Sequence, residues 1–141
     1  MTDLDLYLED HHHMLRDMVR EFAEAEIAPV AAGFDESEQF PWESGWKMSE
    51  LGLFGIPFPE DFGGAGMDLI SAIIVSEEQA RVDACHSLLV GAHFSLAASA
   101  LSRGGPVALE ARFLTRLASG DARGGCGLTG PGAGAAAGGV C

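Results

Sequence analysis

Apolar and polar positions follow a helical period over most of the chain. Over residues 10–32, Leu15, Val19, Phe22 and Ala23 fall on one stripe, widened by Met14 and Met18. Arg16, Asp17, Arg20, Glu21 and Glu24 fill the opposite side, so an amphipathic helix is predicted. Pro29 is expected to kink or end it, because proline lacks the N–H that the next turn needs. A short helix over 42–51 follows Phe40-Pro41. Asp68 suits the N-cap of a further helix to about residue 82. In it Ile70, Ile73, Ile74 and Glu77 keep helical spacing, with the acids turned outward. Residues 86–102 are apolar almost all round, which predicts a helix central to the core.

Gly104-Gly105 ends that helix, and Pro106 suits the first turn of the next. There Val107, Ala111, Leu114 and Ala118 form one stripe and Leu109, Phe113 and Leu117 its neighbour, with Gly120 as a C-terminal cap. Between the second and third helices, GLFGIPFPEDFGGAGMD carries too many glycines and prolines for a long regular element. Phe54, Ile56, Phe58 and Phe62 make it greasy, so it is expected to pack over an apolar surface. The pattern predicts about five helices. Residues 123–129 then look extended, and no internal repeat or heptad pattern is visible.

Charge divides the chain. Residues 1–83 hold nineteen acids and four bases, a net of −15, whereas 84–141 hold two acids and four bases, a net of +2. The acidic total of −13 argues against nucleic acid and anionic membrane surfaces as partners. The apolar second half is expected to be buried or to face a partner. The acidic N-terminus lacks the basic region of a signal peptide, and the apolar run 88–101 is too short to span a bilayer. A cytoplasmic protein without a membrane span is expected. Three cysteines with no C-x-x-C pair fit a reduced compartment; Cys85 is expected to be buried and inert.

Candidate chemistry is sparse. Glu9, His13 and Asp17 share a helical face, and His11 and His12 point elsewhere; a solvated first turn is expected there, with no metal. His93, inside the most apolar helix, is expected to be a core histidine with one satisfied hydrogen bond. The closing stretch CGLTGPGAGAAAGGVC lacks the lysine of a phosphate-binding P-loop. Gly132-Ala-Gly134-Ala-Ala-Ala137 fits G-x-G-x-x-A without the preceding strand or following acid of a dinucleotide site. No catalytic serine, cysteine or carboxylate set can be assigned from the residues.

Five segments together carry a resemblance. MLRDMVREFAEAEIAPVAA (14–32), FPWESGWKMSELGLFGIPFPEDFGGAGMD (40–68), EEQARVDA (77–84), GAHFSLA (91–97) and LASGDARGGCGLTGPGAG (117–134) resemble, in the same order, the acyl-CoA dehydrogenases. The resemblance implies an all-α chain: a helical N-terminal domain of that type over 1–122, followed at 123–141 by the first strand and Gly-rich loop of a truncated middle β domain. It implies FAD as cofactor, an acyl-CoA thioester as substrate in fatty-acid or branched-chain amino-acid breakdown, and an electron-transferring flavoprotein as partner. A homo-oligomer is implied for the full-length form. Cys126, Leu128, Thr129, Gly134 and Ala135 match flavin-contacting positions, and Ser95 and Leu96 resemble acyl-pocket residues.

The chain departs from the family motif LTEPGAGSD, with Gly130 in place of the acid and Ala135-Ala136 in place of Ser-Asp. In the family the catalytic carboxylate lies in a C-terminal helical bundle. The chain is therefore expected to be a fragment or truncated product, inactive alone, with weak or no FAD binding and no assignable catalytic residue. The alternatives are a complete non-catalytic helical module that pairs with itself or a full-length relative, and a decayed gene product.

Overall fold

A computed structural model describes residues 7–131 and Gly134. The described residues form seven α-helical segments and no strand: α1 (Asp10–Phe22), α2 (Ala28–Ser37), α3 (Trp42–Glu50), α4 (Leu69–Ala80), α5 (Ala84–Ala92), α6 (Ser99–Gly104) and α7 (Val107–Ala118). π turns join α1 to α2 (Ala23–Ile27) and α5 to α6 (His93–Ala98).

The first expected helix forms, with Leu15, Val19, Phe22 and Ala23 all buried. Pro29 does not end it. The π turn lies directly before the proline, near the start of α2, and the helix runs on to Ser37. A wider i→i+5 turn relieves the clash that the proline ring would make with the preceding turn of a regular helix.

The central element is α4, not the apolar helix expected for that place. It packs against α1 on one side and α5 on the other. Asp68 caps it, accepting the Ser71 N–H at 2.8 Å. Its inward face carries Ser71, Ala72, Ile74, Val75, Glu78 and Gln79, while Ile70 and Ile73 stay exposed. The expectation that the acids turn outward thus fails at Glu78. Its carboxylate is 2% exposed and is clasped by Arg20 through two bonds of 2.9 and 2.8 Å and by Arg81 at 3.0 Å. Burial alone would raise the Glu78 pKa, but the bonds from Arg20 and Arg81 outweigh it and hold the group below the usual range.

The apolar stretch from α5 to α6 forms a 21-residue helix, Ala84–Gly104, long and apolar enough by composition to cross a membrane. This revises the expectation of a run too short to span. Only one face enters the core, through Val90, His93, Phe94 and Ala98; Leu88 and Leu96 are exposed. Cys85, expected inside, is also exposed.

The greasy loop packs as expected: Phe54, Ile56 and Phe58 are buried together with Leu53, and Phe62 is partly buried against them. Its backbone closes on itself through Ala65 N–H to Gly55 O, Gly66 N–H to Phe58 O and Met67 N–H to Ile56 O. Gly64 is required there, since a Cβ would lie 2.2 Å from the Phe58 carbonyl oxygen.

A buried amide opposes folding. Gln79 is fully buried, and neither amide atom has a partner among the described residues. An unsatisfied buried polar group costs about 1–3 kcal/mol. Gln79→Leu, similar in volume, should raise stability by about 1–2 kcal/mol in urea unfolding followed by circular dichroism. A lower midpoint would show that the amide is satisfied in solution.

Candidate functional site

Where the chain leaves α7 it turns back across the α5–α6 helix and walls off a groove of about 600 Å³. Leu96, Ala100 and Leu101 line one side, Phe113 and Leu117 another, and Arg123 to Gly127 the third. The groove is mostly apolar, and among the described residues its lining holds no carboxylate and no histidine.

Two fasteners build the third wall. His93 is fully buried at the start of the π turn. Its Nδ1 accepts the Gly124 N–H at 3.0 Å, and its Nε2 lies 3.0 Å from the Leu117 carbonyl. A carbonyl only accepts, so the proton sits on Nε2 and the ring is neutral. Burial pushes the His93 pKa down to about 4, against the weaker upward pull of the Leu117 carbonyl, and the Arg123 charge adds to the lowering. Phe54 meets the ring edge-on at 4.9 Å.

Arg123 is the second fastener. Its guanidinium donates to Gly120 O at 3.1 Å, Gly45 O at 3.0 Å and Ser49 Oγ at 3.2 Å. It also lies 4.4 Å from the centroid of the Trp46 ring. Gly120, in the left-handed region at φ 76°, makes the turn; a Cβ there would strike Ser49 Oγ at 2.5 Å.

Of the residues predicted from sequence, Leu96 and Cys126 line this one groove. Leu128, Thr129 and Gly134 are exposed beyond it. Ser95 is exposed but does not line the groove, and its hydroxyl donates to the Gly91 carbonyl within its own helix. Ala135 and Ala136 lie outside the described residues. His93 makes two hydrogen bonds where one was expected. The sequence reading missed Arg123, Phe113 and Gly124. Gly124 is needed for a close approach that only the fold reveals: a Cβ there would lie 2.4 Å from the Ala97 Cβ.

Residues 123–130 have no regular secondary structure apart from a single bridge residue at Gly130. A Cβ added at Gly125, Gly127, Gly130 or Gly134 would meet nothing within 4 Å. The edge that carries Cys126 and Thr129 is therefore open backbone.

Two other polar clusters have structural explanations. His11, His12 and Asp68 bring their ligand atoms within 4.8 Å of one another. His12 is buried rather than solvated, and its Nδ1 accepts the Glu9 N–H at 3.0 Å. The ring proton then sits on Nε2, 3.0 Å from Asp68 Oδ1, which leaves no lone pair for a metal. The Ser71 N–H, with further bonds from His12 and the Ser71 hydroxyl, holds the Asp68 carboxyl down at about 2.

Asp83, His86 and Ser44 carry the bonds of a nucleophilic triad: His86 Nδ1 to Asp83 Oδ2, and Nε2 to Ser44 Oγ at 2.7 Å. The cavity of about 230 Å³ beside them is bounded by Asp83, Cys85 and His86 but not by Ser44, which is 4% exposed. With its hydroxyl closed off, the set ties α3 to α5.

Comparison with known proteins gives one consistent result. The family model for the N-terminal domain of acyl-CoA dehydrogenases matches residues 9–121. A short-chain specific acyl-CoA dehydrogenase of Clostridium acetobutylicum is 43% identical over 131 residues, 93% of this chain and 35% of its own length. The structure of butyryl-CoA dehydrogenase from Megasphaera elsdenii superposes with a TM-score of 0.86 at 32% identity, covering 94% of this chain and 35% of that one. A Bacillus anthracis acyl-CoA dehydrogenase complexed with FAD superposes at 0.85 with 25% identity, covering 99% and 24%. The chain thus spans about a third of the length of the curated relatives it matches.

The His93 geometry has a pH signature. The folded pKa lies below the value of about 6.5 for an unfolded histidine, so the native state binds fewer protons. The stabilisation is complete above about pH 6.5 and is lost as pH falls from there through about 4. The stability advantage of wild type over His93→Gln should shrink by about 1.2 kcal/mol between pH 6 and 5. Urea unfolding at several pH values checks this, and parallel curves would contradict it.

Proposed function

The chain belongs to the acyl-CoA dehydrogenase family, and from that premise we propose that it supplies one wall of an acyl and flavin site for α,β-dehydrogenation of acyl-CoA thioesters. The observation that carries this reading is the groove in which Leu96 and Cys126, expected on acyl and flavin sides respectively, come together. FAD, when bound, supplies the hydride acceptor for that chemistry. The chain's own residues do three things. The apolar lining excludes water from an acyl chain, the open backbone at 125–130 offers its amides, and the Thr129 hydroxyl can bond the polar edge of the flavin.

In this reading residues 123–141 open a β domain, and Leu128, Gly134 and Ala135 join the flavin side. Ser95 lies at the acyl side on resemblance alone. The base that takes the α proton comes from outside these residues, since the groove lining offers no group to hold it. The 141-residue polypeptide alone is then inactive and binds FAD weakly or not at all. The full-length assembly is a homo-oligomer reoxidised by an electron-transferring flavoprotein.

A second reading is favoured by one surface. Leu69, Ile73 and Leu88 are 71%, 56% and 69% exposed on the neighbouring helices α4 and α5. Such a face fits a helical module that pairs with itself or with a full-length relative.

A chimaera separates the two. Residues 9–131 replace their counterpart in the Clostridium acetobutylicum enzyme. The wall reading expects a yellow, active protein in which Thr129→Val weakens flavin binding about five-fold, the equivalent of one hydrogen bond near 1 kcal/mol. A colourless, folded chimaera would contradict it. For the isolated polypeptide, stoichiometric flavin or turnover of butyryl-CoA would overturn the inactive assignment.

A further inference from the structure

We propose that His93 is a positioning residue that sets the spacing between the two walls of the groove. It does so by holding the Gly124 backbone against the helix that carries Leu96. The inference rests on the acyl and flavin reading for its functional meaning, while its geometry stands apart from any cofactor.

His93 and Leu96 belong to the same π turn, His93–Ala98. Residues three apart share a face in an α-helix, but a wider i→i+5 turn advances fewer degrees per residue, so the later one stops short of that face. The outcome is visible in burial: His93 is fully buried and Leu96 is 52% exposed toward the groove. The imidazole therefore works from inside the core while its neighbour forms the surface wall. Across the groove, Gly124 lies two residues before Cys126. Its Cα rests against Ala97, with no room for a side chain. The acceptor bond from Nδ1 to the Gly124 N–H fixes that contact, and the donor bond from Nε2 to Leu117 O fixes the ring against the end of α7.

One imidazole thus ties three segments: the π turn, the end of α7 and the start of the open backbone. Phe54 at 4.9 Å and Phe58 at 6.5 Å meet the ring edge-on and limit its rotation. Both bonds are made only in the neutral Nε2–H tautomer. A carboxamide offers one donor and one acceptor in a similar fork, so glutamine can replace the pair where leucine cannot.

Nuclear magnetic resonance on the 141-residue chain tests this without any cofactor. The contact between the Ala97 methyl and the Gly124 α protons should give a strong cross-peak in wild type. It should vanish in His93→Leu and return in His93→Gln, while the Val90 and Ile74 methyl signals and the helical circular dichroism hold in all three. A cross-peak that survives in His93→Leu overturns the proposal, as does its failure to return in a folded His93→Gln. Should His93→Leu not fold, amide exchange in the unaltered chain decides. The Gly124 N–H should exchange at least ~100-fold more slowly than that of Gly125, and equal rates overturn the proposal. Loss of flavin from the chimaera would leave this result untouched, so the two readings fail separately.

Discussion

The neutral imidazole of His93, buried with one donor and one acceptor bond, is the constraint on which the groove depends. A charged ring there would bear the full desolvation penalty and would turn a second N–H toward the Gly124 N–H. The surroundings therefore select the uncharged form, and that form holds the chain beside the helix. Arg123 works beside it by different means. Its guanidinium donates through its two terminal nitrogens to two carbonyls and the Ser49 hydroxyl and lies over Trp46, while its Nε is buried without a partner among the described residues, so a charged group is held at the edge of the core without an acid partner among these contacts. Together they turn a glycine-rich segment with no regular structure into a defined wall.

Behind that wall stands α4. It gathers α1 and α5 and buries Glu78 under Arg20 and Arg81. Three further polar junctions lock helix ends: His12 on Asp68, Ser44 on His86, and Asp83 on His86. Each joins segments distant in sequence or caps a helix start, so they fix the order and angle of the helices where apolar contact alone is permissive. The apolar residues from Ala84 to Ala118, nearly neutral in charge, then lie across this scaffold with Leu88 and Leu96 still facing outward.

Much of this was legible in the residues. The stripe through Leu15, Val19 and Phe22, the Asp68 cap, the packed loop around Phe54 and Phe58, and the end of α7 at Gly120 all follow from local rules of period, capping and turn chemistry. At Pro29 a kink or an end was expected, and the helix does not end there because a π turn before it absorbs the clash, a solution no propensity records. Glu78 misled because its arginine partners, Arg20 and Arg81, lie far away and nearby respectively, and periodicity alone cannot tell a solvated acid from a clasped one. The apolar helix at 84–104 read as central because hydrophobicity on every side means either a core or an uncovered face, and composition cannot separate them. At the site, Leu96 and Cys126 were reached through resemblance. The part played by Gly124 is a matter of a close backbone approach, which sequence spacing does not show.

The most direct measurement is the nitrogen-15 chemical shift pair of the His93 ring in uniformly labelled protein near pH 6. A neutral Nε2–H tautomer should be found, with Nδ1 shifted as a hydrogen-bond acceptor and no titration until the pH approaches about 4. An imidazolium at pH 6, or a ring protonated on Nδ1, would mean that Gly124 is not held by this histidine and that the groove is built some other way.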